Sequence, residues 1–264
     1  VGCPRSGTTL LQRMLNSHTD LAVTNDTHFI PRALRNPEAD SGTPLTPELV
    51  ERVVGYHRFP RLGVDVDTAR GLAEQATTYG GYVSLLYDQV GRQAGKRFAG
   101  EKTPDYVRHL PLLHRLFPAV RSLHIFRDGR DVALSLLEWA TPTKGPGRYP
   151  LWQHEPLGVA ALWWSWQVGQ GRDAAPSLGD DRHRAIRYED LVAEPEAAMI
   201  DVSGFLGLRY DPNMLDFHVG RTRTDPGLSA KKAWLPPTPG LRDWKERYSD
   251  DDLALFEALA GETL

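Results

Sequence analysis

Apolar positions recur at helical spacing soon after the first residue. Leu10, Leu11, Met14 and Leu15 share one face and predict a helix over 8–18. Residues 35–47 are crowded with Pro, Asp, Asn and Ser and read as a loop. Helical spacing returns over 48–95, as at Tyr82, Leu85, Leu86 and Val90, and again over 104–118 through Leu110, Leu113 and Leu116. Residues 122–126 break that period. They form a short apolar run suited to a strand covered on both faces, as in a parallel sheet. Asp128, Gly129 and Arg130 turn the chain into a helix carrying Val132, Leu134, Leu137 and Trp139. Residues 141–158 hold four prolines and three glycines and read as a long loop, a kind of segment that is often functional. A Trp-rich helix is expected over 159–170, a strand over 185–188 and a helix over 195–205. The last helix starts near Ser249, an N-cap followed by Asp250, Asp251 and Asp252 in the first turn. Strands alternating with helices predict an α/β fold with a central parallel sheet flanked by helices. No linker composition splits residues 1–264, so one domain is expected.

Composition narrows the function classes. Hydrophobic residues make up 41% and charged residues 25% of 264, which is ordinary for a globular chain and excludes disorder, collagen and coiled coil. A net charge of −3 argues against a broad nucleic-acid or membrane-surface footprint, so an anionic ligand must be held by a local cluster. Cys3 is the only cysteine, which fits a reducing compartment and points to the cytoplasm. No apolar run approaches the ~20 residues of a membrane span. A strand of ~4 to 8 residues normally precedes a loop of the kind that opens this chain, so most of the first strand is expected to lie ahead of Val1.

That loop is Gly2-Cys3-Pro4-Arg5-Ser6-Gly7-Thr8-Thr9. Two glycines four residues apart, followed by a helix, present backbone N–H groups and a helix N-terminus to an anion. The nucleotide-kinase pattern needs Lys after the second glycine, and Thr8 stands there. No later strand ends in a clear metal-binding carboxylate. Magnesium-dependent phosphoryl transfer is therefore disfavoured. A sulfuryl group carries one negative charge, and Arg5, a set of N–H donors and two hydroxyls suit a phosphosulfate with no metal. A second basic element, Arg127-Asp128-Gly129-Arg130-Asp131, sits at a strand end, where parallel sheets open onto ligands. Arg127, with Ser135 about two helical turns on, suits a second phosphate, while Arg130 and Asp131 read as surface pairing.

On these two motifs, over 1–15 and 123–136, the chain resembles the PAPS-dependent sulfotransferases, with their PRSGTT-type loop and RDGRD…S element. The likeness extends through Glu101-Lys102-Thr103-Pro104, Arg187-Tyr188-Glu189-Asp190-Leu191 and Trp244-Lys245. The stretch Asp26-Thr27-His28-Phe29-Ile30-Pro31-Arg32 is similar to protein-tyrosine sulfotransferases and bacterial enzymes like them. The resemblance implies a P-loop-like sulfotransferase fold, PAPS as donor and PAP as product. Arg5, Ser6, Gly7, Thr8 and Thr9 would hold the 5′-phosphosulfate, Arg127 and Ser135 the 3′-phosphate, and Tyr188 would lie near the adenine. Lys102 would steady the bridging oxygen. A basic segment, 219–242, would close over the nucleotide through Ser229 or Arg242. The tyrosylprotein branch has an arginine at Trp139, and a glutamate and an arginine at Asp26 and His28. The bacterial type is therefore the closer match.

Transfer to an alcohol or phenol requires a base, and two residues compete. His28 needs no tuning to accept a proton near neutral pH, whereas Asp26 needs its pKa raised. His28 is thus the expected base, with Asp26 orienting it. Two apart, the pair would share a face if the segment is extended. Trp163, Trp164 and Trp166 read as helix packing, and the histidines show no metal-ligand spacing, so no metal is expected. The expected partner is a small molecule or peptide bearing a hydroxyl. Its identity is open among sugar, phenol, tyrosine, lipid and polyketide. The rivals are a P-loop nucleotide or nucleoside kinase, opposed by Thr8, and a non-catalytic nucleotide-binding module, opposed by Lys102, Asp26 and His28.

Overall fold

The computed structural model describes residues 1–219, 237 and 243–264. Ser229 and Arg242 lie outside the described residues. In chain order the helices are α1 (Thr8–Asn16), α2 (Phe29–Leu34), α3 (Pro47–Val54), α4 (Val66–Ala73), α5 (Tyr79–Ala94), α6 (Leu110–Leu116), α7 (Gly129–Trp139), α8 (Pro156–Leu178), α9 (Tyr188–Ala193), α10 (Pro195–Leu206) and α11 (Asp250–Ala260). The strands are β1 (Leu21–Asn25), β2 (Phe98–Lys102), β3 (Ser122–Phe126) and β4 (His183–Arg187).

β1 pairs with β2 and β3 with β4, both in parallel, with Asn25 opposite Lys102 and Phe126 opposite Arg187. Val1 and Gly2 join the two ribbons. Val1 N donates to Leu123 O at 2.7 Å, Ile125 N donates to Val1 O at 3.1 Å, and Gly2 N donates to Pro104 O at 3.2 Å. The first loop is therefore delivered to the middle of the sheet, at the C-terminal ends of β2 and β3. Among the described residues, helices cover the layer with four apolar clusters, three of them large. One gathers α2 to α6 around Phe29, Phe59, Tyr79, Tyr82 and Leu86. A second sets α1, α9 and α10 against β3 and β4. The third packs α7, α8 and α11 around Trp163, Trp164 and Phe256.

Local chemistry fixes the element ends. Thr46, Asp65 and Thr78 cap α3, α4 and α5, and Ser249 with Asp252 forms a capping box on α11. Several expected boundaries move. The stretch 104–118 is a 3-10 turn (Pro104–His109) followed by α6, because Pro111 can only enter a helix at its first turn. The Trp-rich helix is longer than its aromatic core, opening at Pro156 under a Glu155 cap and ending at Gly179. β4 starts at His183, whose Nδ1 meets Ser122 Oγ at 2.8 Å, and Tyr188 opens α9 instead of closing the strand. The loop before α8 contains two 3-10 turns, Gly145–Arg148 and Pro150–Gln153.

Candidate active site

Two glycines seat the first loop. Gly2 (φ +144) passes so close to β3 that a Cβ would stand 2.1 Å from Ile125 O. Gly7 (φ +91) lies on the Tyr188 ring, where a Cβ would stand 2.3 Å from Cδ2. Both backbone conformation and space demand glycine. Between them Arg5 also has positive φ, +80. Its Nε donates to Ser135 Oγ at 2.8 Å, tying the loop to α7. Ser6 is fully buried and its hydroxyl has no hydrogen-bond partner. No side chain caps α1 and its first turn holds no acidic residue, with Thr8 buried and Thr9 half-buried at its start. An orphaned hydroxyl beside an uncapped helix start is what an anionic group would satisfy, so these residues fit a phosphosulfate.

Arg127 leaves the end of β3. Its Cζ lies 4.5 Å from the Tyr188 centroid, its Nη2 donates to Asp131 Oδ2 at 2.7 Å, and its buried Nε has no partner. Tyr188 thus touches both basic elements. The four charges after β3 do pair, but not as neighbours on an open surface. Arg130 pairs with Asp128 at 2.7 Å and stacks on Trp244 at 3.8 Å. Asp131, paired with the buried Arg127, also accepts from Trp244 N at 3.1 Å. Ser135, expected beside Arg127, is instead bonded to Arg5.

Asp26 and Lys102 meet where β1 and β2 end. Asp26 N donates to Lys102 O at 2.8 Å and Lys102 Nζ donates to Asp26 Oδ1 at 3.0 Å. Lys102 is only 6% exposed; burial lowers its pKa, and the Asp26 charge opposes that. Glu101, one residue away and so on the other face of the strand, is a hub. It accepts from Tyr87 Oη at 2.9 Å, Thr27 N at 3.0 Å, and the hydroxyls of Thr24 and Thr103.

These bonds turn the chain sharply. Asp26 (φ +55) and His28 (φ +59) are left-handed, so the extended segment that would put both side chains on one face does not form. His28 Nδ1 lies 4.0 Å from Asp105 Oδ2, and its ring meets Tyr106 edge-on at 6.4 Å. Burial and then the Arg58 charge push the imidazole down to about 4. It is neutral near pH 7 and much less basic than a free imidazole.

Three site neighbours carry little signal in the sequence. Glu101 was visible only as part of a motif, although strand alternation separates it from Lys102. Asp131 looked like surface charge. Lys144 carries no sequence signal at all, yet its amine stands 4.3 Å from the Trp139 centroid, the ring that Arg5 approaches at 6.0 Å. Among the described residues no cluster of His, Cys, Asp or Glu could hold a metal, and no helix is long and apolar enough to cross a membrane. A cavity of about 880 Å³ between the ribbons is mainly apolar, with Thr8, Glu101 and Lys102 among its lining.

Residues 1–212 match the Sulfotransferase family. The chain is 24% identical over 214 residues to Protein-tyrosine sulfotransferase A of Caenorhabditis elegans, covering 81% of this chain and 50% of that protein. It is 28% identical over 222 residues to Nodulation protein NoeE of Sinorhizobium fredii, covering 80% and 49%. The chain thus spans about half the length of these curated relatives. Among solved structures, the sulfotransferase domain from the Synechococcus PCC 7002 olefin synthase superposes with a TM-score of 0.64 at 25% identity, covering 97% of this chain and 91% of that one. With a parallel-sheet fold, a glycine-bounded loop before α1 and a family match over most of its length, the chain belongs to the sulfotransferase family.

Proposed function

We propose that the protein moves a sulfuryl group from PAPS to an acceptor hydroxyl, in line and without a metal, in the cytoplasm. The observation that carries this reading is the loop of residues 2–7, where the buried, unpartnered Ser6 hydroxyl and an uncapped helix start adjoin Arg5. PAPS supplies a sulfuryl group already activated on a phosphate leaving group. Arg5, Ser6 and the N–H groups of Gly7, Thr8 and Thr9 hold the phosphosulfate charge. Arg127 has a spare Nε for the 3′-phosphate, Ser135 reaches that group only if it leaves Arg5, and Tyr188 offers its ring to the adenine. Lys102 donates to the oxygen on which charge builds as the sulfur–oxygen bond breaks.

The acceptor hydroxyl loses its proton as the new sulfur–oxygen bond forms. We assign that proton to Asp26 and not to His28. The depressed imidazole has lost the basicity that favoured it, and it faces Asp105. Asp26 already shares a hydrogen bond with Lys102, so base and leaving-group donor are held side by side. A hydroxyl acceptor on a small molecule or peptide is supported by relatives named for protein tyrosine. The nucleotide-kinase reading is opposed by Thr8 in the lysine position and by the position of the cation within the loop, at Arg5.

The test is turnover of radiolabelled PAPS against alcohols, phenols and tyrosine peptides, with and without a chelator. Label should reach at least one hydroxyl acceptor at a rate the chelator does not change. Transfer from γ-labelled ATP with magnesium, and none from PAPS, would replace this reading with the kinase.

A further inference from the structure

Lys144 sits on a turn built against the site. Thr141 and Lys144 exchange backbone hydrogen bonds of 2.8 and 3.1 Å. Gly145 follows at φ +61, so close to Trp139 that a Cβ would stand 2.4 Å from Cζ3. Gly147 is pressed onto Thr141, where a Cβ would stand 2.4 Å from its carbonyl oxygen. Pro146 and Gly147 are buried, although Lys144 itself is exposed. Two close approaches and a closed turn therefore fix the Lys144 backbone beside the indole of Trp139.

The neighbours of its amine are unusual for a surface lysine. Trp139 lies one helical turn after Ser135, which holds Arg5, so the lysine and the loop arginine converge on one face of α7. No carboxylate among the described residues forms an ion pair with Lys144. Partial burial and the Arg5 charge lower its pKa, and only the Asp26 charge works the other way. Like charges gathered this way repel, and a bound anion would relieve that repulsion beyond what the Asp26 charge does.

We propose that Lys144 is a donor-binding residue: it contacts the same phosphosulfate anion as Arg5, closing the cradle from the side of Trp139. This rests on the sulfotransferase reading. The exposed position lets the amine swing from the ring to an oxygen without repacking the core.

The test is acetylation of lysines in the intact protein, read peptide by peptide by mass spectrometry, with PAP or with 3′-AMP. PAP should slow acetylation of Lys144, and 3′-AMP, which lacks the 5′-phosphate, should not. Lys144→Met should lower kcat/KM for PAPS about tenfold, ~1.4 kcal/mol. Its melting temperature should not change, and Lys144→Arg should restore most of the loss. Equal acetylation with and without PAP, or a Met variant with unchanged kcat/KM, overturns the assignment. If PAP fails to shift the melting temperature of the unaltered protein, the sulfotransferase reading falls first and takes this one with it.

Discussion

Asp26 hydrogen-bonds the ammonium of Lys102, while His28 faces a different carboxylate, that of Asp105. Changing Asp26→Asn keeps the shape and removes the base, so kcat should fall by about 10²–10⁴. His28→Ala should keep most of the turnover, because an imidazole held near 4 gives no advantage as a base. The opposite ranking, with Asp26→Asn active and His28→Ala dead, would return the proton to His28. The two arginines should separate as well. Arg5→Ala should lower kcat by about 10²–10³, since charge develops beside it during transfer. Arg127→Ala should weaken PAP binding, measured by calorimetry, with a smaller effect on kcat. It should be compared with the Arg127→Ala, Asp131→Asn double variant, which leaves no half-buried carboxylate unpaired.

At the scale of elements, the loop of residues 2–7 and the start of α9 are one unit, because Gly7 rests on Tyr188. Gly7→Ala would press a methyl into that ring at a positive φ. It should cost about 1–3 kcal/mol of stability and abolish PAP binding. Denaturant unfolding together with calorimetry checks both effects, and a stable Ala variant that binds PAP normally would show that the loop is not locked by the ring. This loop was legible in the sequence because its chemistry is contiguous: glycine spacing, Arg5 and a helix start lie within a few residues. The element after β3 was legible for the same reason. The turn at Asp26 and His28 was not, since its left-handed residues are imposed by Glu101 and Lys102, some 75 positions away. Lys144 was hidden in a segment that reads as loop. Its position comes from Gly145 and Gly147 packing, which no local pattern reports. Pro111 did announce the break before α6, but the apolar period through Leu110 and Leu113 masked it.

Across the whole molecule, buried histidines make stability depend on pH. His114 and His183 both contact Ser122 Oγ, and the His124 ring lies tilted to His183 with centroids 6.1 Å apart. Burial, the largest cause in each, pushes His114 down to about 4, His124 to about 3 and His183 downward. Each is raised to its ordinary value near 6.5 on unfolding, so the unfolded chain binds more protons below that pH. Stability should fall as the pH drops through 6.5 towards 4. Urea midpoints across that range check this, and a midpoint that holds or rises between pH 7 and 5 would contradict it. The overall charge of −3 gives no general affinity for anions, so any tight nucleotide binding must come from the cradle at Arg5 and Arg127. The most direct measurement is therefore calorimetric and thermal titration with PAP against ATP plus magnesium. PAP at ~100 times its dissociation constant should stabilise the fold by ~2.7 kcal/mol and outrank the ATP complex. Stronger stabilisation by ATP with magnesium, or none by PAP, would contradict a PAPS-dependent sulfotransferase.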